Sequence, residues 1–193
     1  MAGLDWHAER ADLAGLAQLD REPDSEGIDL EAVRAWRLGR LRAEMARRGV
    51  DAVILSDPLN IRYATGARNM QVFSSRNQPA RYLALTAHRA ILFEFTGCAH
   101  LADGLETIDE VRPARAASFV AAGPRIAERE RLWAAETADL IRELAGSGAT
   151  LGLERLNAGA AIALAEQDLR IVDAQEPVEM ARAVKSAEEM KCV

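Results

Sequence analysis

The sequence predicts an α/β domain built on a mixed β-sheet flanked by helices, and three observations carry that expectation. A helical pattern that starts at Asp29 runs directly into the apolar run of residues 50–55, the order that opens an α/β layer. Residues 81–86 and 90–95 are two strand-like runs separated only by Ala87-His88-Arg89, a gap short enough to make them an antiparallel hairpin. From Thr150 onward the pattern alternates strand, helix, strand, helix, which favours parallel pairing through right-handed crossovers. A hairpin and parallel crossovers in one sheet make it mixed.

Each element has its own local reason. Asp29 is placed to cap a helix whose Leu30, Val33, Trp36, Leu41 and Met45 share a face, and Arg47-Arg48-Gly49 supplies cations and a stop. Residues 50–55 are short, continuous and apolar, as a strand buried on both faces must be. Asp57 and Pro58 then read as cap and first helical residue, so residues 59–63 make one helical turn before Thr65-Gly66 reverses the chain. A further strand is expected within residues 107–112. Pro124 opens a long helix with Ile126, Trp133, Thr137, Leu140, Ile141 and Leu144 on one face, and Gly146 and Gly148 end it. Residues 150–153 form a strand, Asn157 caps a helix reaching Gln167, residues 169–172 form another strand, and a last helical stretch follows Pro177.

Composition narrows the function classes. A chain of 193 residues is long enough to bury a core without disulfide or metal support. Its net charge of -6 is concentrated at the start, where residues 1–28 carry seven acids against two arginines. We read residues 1–28 as an acidic extension and linker, and residues 29–180 as the α/β domain. No basic excess is available to neutralise a nucleic-acid backbone, and no apolar run approaches the roughly 20 residues of a membrane span. A cytoplasmic setting is expected, because Met1 to His7 have neither the basic start nor the apolar segment of an export signal, and Cys98 and Cys192 stand far apart.

Catalytic constellations are scarce. His7, His88 and His100 form no metal-ligand pattern with neighbouring carboxylates, and no phosphate-cradling or nucleophile-elbow glycine motif occurs. Cys98-Ala99-His100 reads as a packed thiol beside a surface imidazole, since neighbours on a loop seldom face each other as nucleophile and base. Neither catalytic nor metal-ligating residues are assigned, and no cofactor is expected in this chain. Residues 68–79 are polar and loop-like after a strand and its turn, where α/β proteins place recognition groups. Asn69, Phe73, Arg76 and Arg81 are the candidate ligand-binding residues.

The stretch Asp57-Pro58-Leu59-Asn60-Ile61-Arg62-Tyr63-Ala64-Thr65-Gly66, followed by a loop and the strand Arg81-Tyr82-Leu83-Ala84-Leu85, resembles the N-terminal domain of the creatinase and prolidase family, the metallopeptidase-like M24 enzymes. Family members show Asn, Tyr, Thr and Gly at positions 60, 63, 65 and 66. Residues 179–190 resemble the family's junction, with Arg182, Lys185-Ser186 and the acid pair Glu188-Glu189. Asn69-Met70-Gln71, Phe73 and Asn77 add a similarity to the dimethylsulfoniopropionate lyase branch. Ala64 departs from the family's bulkier residue before Thr65, and the acidic extension lies outside the minimal family domain.

The resemblance implies a ribonuclease H-like three-layer fold and residues 181–193 as the start of a junction to a catalytic domain absent from the chain. That domain would hold a divalent metal pair and carry the chemistry. It also implies a homodimer in which loop residues cover the partner's site, Phe73 as an apolar wall and Arg81 as a carboxylate binder, with a small-molecule or short-peptide substrate. A stand-alone binding module is the alternative from another class. An independent thiol enzyme using Cys98 is a third.

Overall fold

The computed structural model describes residues 27–69 and 80–191. Six strands form one sheet in the order β4-β3-β2-β1-β5-β6: β1 (Ala52–Leu55), β2 (Tyr82–Thr86), β3 (Ala90–Glu94), β4 (Glu110–Pro113), β5 (Thr150–Leu153) and β6 (Arg170–Asp173). The helices are α1 (Leu30–Arg47), α2 (Pro58–Thr65), the single turn α3 (Phe119–Ala122), α4 (Ile126–Ala145), α5 (Ala158–Ala165), α6 (Gln175–Ala183) and the single turn α7 (Ala187–Met190).

The sheet is mixed as the sequence predicts. β1 and β2 are antiparallel, as is the β2–β3 hairpin, whereas β1–β5, β5–β6 and β3–β4 are parallel. Central β1 is buried at all four positions, which is why it reads as unbroken Ala-Val-Ile-Leu rather than as an alternation. The outer strands β4 and β6 are only partly buried and carry Glu110, Arg112, Arg170 and Asp173, charges that discourage edge pairing with another chain.

Two cores lie on opposite faces, so the domain has three layers. On one face Leu41 and Met45 of α1, Ile61 and Ala64 of α2, and Val178 and Ala181 of α6 pack on Val53, Leu55, Leu83, Leu85 and Leu92. On the other, Trp133, Ala138 and Ile141 of α4 and Ala160 and Leu164 of α5 pack on Ile54, Ala84, Ile91 and Leu151. Trp133 is completely buried and meets Tyr82 edge to face at 5.9 Å, and Tyr82 in turn stacks on Phe93 at 4.4 Å. Burying each large aliphatic side chain contributes about 1.5–3 kcal/mol before ordering costs.

Local expectations met tertiary packing with mixed outcomes. Asp29 caps α1 through Ala32 N at 2.9 Å, and the strands at 150–153 and 107–112 exist, the latter shifted to Glu110–Pro113. Trp36 is 41% exposed and not part of the core, because α1 buries a narrower stripe through Val33, Leu38, Leu41 and Met45. Pro124 sits in a 3-10 turn, Gly123–Arg125, and the α-helix begins only at Ile126. Asn157 precedes α5 without a side-chain capping bond: its amide nitrogen donates to Glu130 while its Oδ1 has no partner among the described residues, and α5 stops at Ala165, short of Gln167. α2 makes two turns, not one, and α6 starts at Gln175, ahead of Pro177.

Candidate functional site

Two groups of polar side chains are built around the features that the sequence singles out. The first fastens α2. Asp57 caps the helix through Leu59 N at 2.8 Å, and Gly66 ends it at φ 81°, a left-handed conformation that suits glycine. Just past β5, Glu154 is buried and accepts bonds from Ser56 N (3.0 Å), Asp57 N (2.9 Å) and the Asn60 amide. Burial pushes its carboxyl above the usual range, and the donors from Asp57 N, Asn60 and Ser56 N oppose that shift.

Asn60 accepts from Arg182 at 3.0 Å, and the Tyr63 hydroxyl donates to the Ala181 carbonyl at 2.9 Å, which ties α2 to α6. Burial raises the Tyr63 phenol to about 12, so it stays a neutral donor at physiological pH. Thr65 bonds back to the Ile61 carbonyl at 2.7 Å and receives Ala67 N at 3.1 Å. Asn60, Tyr63, Thr65 and Gly66 therefore all have structural tasks.

The second group sits at the β2–β3 end of the sheet. Tyr82 pairs with Phe93, so Arg81 and Glu94 flank that pair from neighbouring strands. Arg81 Nε donates to Glu94 Oε2 at 2.6 Å, with both side chains at 0% and 1% exposure. Glu94 Oε1 accepts from Asn69 Nδ2 at 2.9 Å and from Phe95 N at 3.0 Å. The Arg81 terminal nitrogens are buried with no hydrogen-bond partner among the described residues. A guanidinium has five donors in a fixed fork, and this one uses a single donor on the carboxylate.

The structure thus brings together Asn69 and Arg81, two of the four candidate binding residues; Phe73 and Arg76 lie outside the described residues. Arg81 does not project from the surface as expected. It is fully buried, and the carboxylate it holds belongs to Glu94 of the same chain. Sequence reading passed over Glu94 and Glu154, although each had a faint signal, an acid at the end of an apolar strand. Among the described residues no three His, Cys, Asp or Glu side chains come together as a metal ion would require. A divalent metal pair therefore does not fit the residues described. Cys98 is a free, half-buried thiol, and His100 Nδ1 lies 3.1 Å from the Gly97 carbonyl, not on the sulfur. No described helix is long and apolar enough to cross a membrane.

The layered mixed sheet with these fastenings defines a three-layer α/β domain. Residues 37–184 match the family model for the creatinase/prolidase N-terminal domain, and the chain belongs to that family. It is 26% identical over 193 residues to the dimethylsulfoniopropionate lyase DddP of Roseobacter denitrificans, an alignment that covers 100% of this chain and 40% of that protein. The chain thus spans about two fifths of the length of that curated relative. Among solved structures, the N-terminal domain of the cytoplasmic peptidase PepQ from Mycobacterium tuberculosis superposes with TM-score 0.51 at 25% identity, covering 77% of this chain and 99% of that one. Dipeptidase PepE from Mycobacterium ulcerans gives TM-score 0.56 at 19% identity, covering 83% of this chain and 39% of that one. The second of these likenesses speaks to the fold alone.

Proposed function

We propose that the chain is the non-catalytic N-terminal domain of an M24-type enzyme, an Xaa-Pro peptidase, a creatinase or a dimethylsulfoniopropionate lyase. It caps the active site of a partner subunit and supports a homodimer. The observation that carries this reading is coverage, because all of this chain aligns with two fifths of a lyase. Chemistry then belongs to the remaining part, where a divalent metal pair would act on a small-molecule or short-peptide substrate. The buried Glu94 supports the capping role, since it ties Asn69 and Arg81 at the two ends of residues 70–79. Phe73 and Arg76 in that segment are the residues offered to a ligand. A cytoplasmic setting belongs to the same reading, supported by the similar PepQ domain, which is described as cytoplasmic.

The test is Phe73→Ala and Arg76→Ala in the enzyme that carries this domain. Turnover efficiency should fall about tenfold or more, a loss of roughly 1.4 kcal/mol in transition-state binding, with metal content and dimerisation unchanged. Wild-type kinetics in both variants would remove the capping role.

One observation favours a second reading, a stand-alone ligand-binding module: the two terminal nitrogens of Arg81 are buried with no hydrogen-bond partner among the described residues, and a ligand carboxylate admitted to them would satisfy them. Calorimetry with small carboxylates on the 193-residue chain and on its Arg62→Glu, Lys185→Glu variant separates the readings. Stoichiometric binding that persists in the variant supports the module.

A further inference from the structure

Residues of α1, α2, the end of α6 and α7 line an open cleft of about 440 Å³. Its charged lining is Arg37, Arg62, Arg182 and Lys185 against Glu179 and Glu189, and Tyr63 contributes an aromatic wall. Both acids are committed: Glu189 pairs with Arg37 at 2.7 Å and Glu179 with Arg182 at 3.2 Å. The Lys185 ammonium meets only the Arg182 carbonyl, at 2.6 Å, and Arg62 is exposed with no carboxylate partner among the described residues. Lys185 also feels the charge of Glu189, so the lining carries four cations against two acids and Arg62 is the cation with no acid partner among the described residues.

The beginning of the described chain is fastened beside this cleft. Lys191 Nζ donates to the Gly27 carbonyl at 3.0 Å, and Asp29 N donates to Glu188 Oε2 at 3.1 Å, next to the Glu189 that lines the cleft. Along α1 the rise from Asp29 to Arg37 is only about 12 Å. The residues before Gly27 hold Asp5, Glu9, Asp12, Asp20, Glu22, Asp24 and Glu26 against Arg10 and Arg21.

We propose that this cleft is a carboxylate-binding site and that the chain's own acidic residues 1–26 are its occupant. Charge complementarity and attachment both argue for it. Twenty-six residues can reach at most roughly 90 Å, far beyond the distance needed. Attachment also presents their carboxylates at an effective concentration on the order of millimolar, so even a weak electrostatic site is substantially filled. A free anion would have to compete with that supply.

Nitrogen-15 NMR of the 193-residue chain tests the proposal, following the Arg62 Nε–H signal. The comparison is a variant in which Asp5, Glu9, Asp12, Asp20, Glu22 and Asp24 are changed to the corresponding amides. At about 50 mM salt the Arg62 signal should differ between the two proteins, and the difference should vanish near about 500 mM, where charges are screened within roughly 4 Å. Arg62→Glu with Lys185→Glu, both surface changes, should move the Trp6 indole signal of the wild-type extension to its position in the amide variant. Identical Arg62 signals at low salt would overturn the proposal. A difference that fades on tenfold dilution would also overturn it, by assigning the occupant to a second copy.

Discussion

Replacing Gly66 by alanine tests the reasoning that makes Asp57 to Gly66 a structural turn. Gly66 has φ 81°, and an added Cβ would lie 2.5 Å from Arg34 Cδ and 3.2 Å from Arg34 Cγ. Forcing alanine into the left-handed region costs about 1–2 kcal/mol. Arg34 would also have to move, and it now makes a two-pronged bond to Glu106 at 2.7 and 3.0 Å. That pair is partly exposed, so its loss adds only about 0.2–1 kcal/mol. The expected total is about 1–3 kcal/mol, read by urea unfolding as a lower midpoint with an unchanged slope, or as a melting temperature lower by roughly 2–10 °C. Gly39→Ala is the internal control. Gly39 is exposed inside α1 with nothing within 4 Å of an added Cβ, so alanine there should stabilise by about 0.5–1 kcal/mol. If both variants shift stability in the same direction, the argument from backbone conformation at Gly66 is wrong.

Two further outcomes follow from the buried and capping carboxylates. Glu94→Gln keeps the shape but leaves the Arg81 charge buried without a counterion, so the chain should lose about 3–5 kcal/mol in urea unfolding; a loss below about 1 kcal/mol would mean that Arg81 has another acceptor. Glu189 is held below its ordinary 4.5: burial pushes it up, but Ser186 N and Arg37 outweigh that. A depressed carboxyl contributes stability that is present above the ordinary value and lost as pH falls through the folded one. Melting temperature should therefore drop on acidification below about pH 4.5, and Glu189→Gln, which keeps the capping bond to Ser186 N, should flatten that drop. An unchanged acid limb in the variant would assign the drop to other carboxylates.

Legibility in the sequence followed the range of the interactions. The Asp29 cap, the apolar β1, the hairpin and the Asp57-Pro58 helix start are set by residues within a few positions of one another, and all are present. Trp36 and Asn157 went differently because their surroundings come from afar. Trp36 fits the helical spacing, but none of the described elements covers it, and it is exposed. Asn157 has a capping side chain, but Glu130, across on α4, holds its amide nitrogen, and its oxygen meets no donor among the described residues. Of the candidate binding residues, Asn69 and Arg81 share Glu94 as a partner, and that acid was hidden among strand residues.

By itself, the sequence determined the mixed α/β architecture, the concentration of acidity in residues 1–28 and the family motif at Asn60, Tyr63, Thr65 and Gly66. Periodicity, caps and turn residues act locally, so these can be read from neighbours. Only the tertiary structure decided that the motif fastens α2 to α6 through Arg182 and Ala181, that Arg81 is buried on Glu94, and that Arg62 and Lys185 share a cleft beside the start of the domain. Those outcomes join residues separated by up to more than a hundred positions. Whether an arginine meets solvent, a substrate or an internal carboxylate depends on which strand the sheet places next to it.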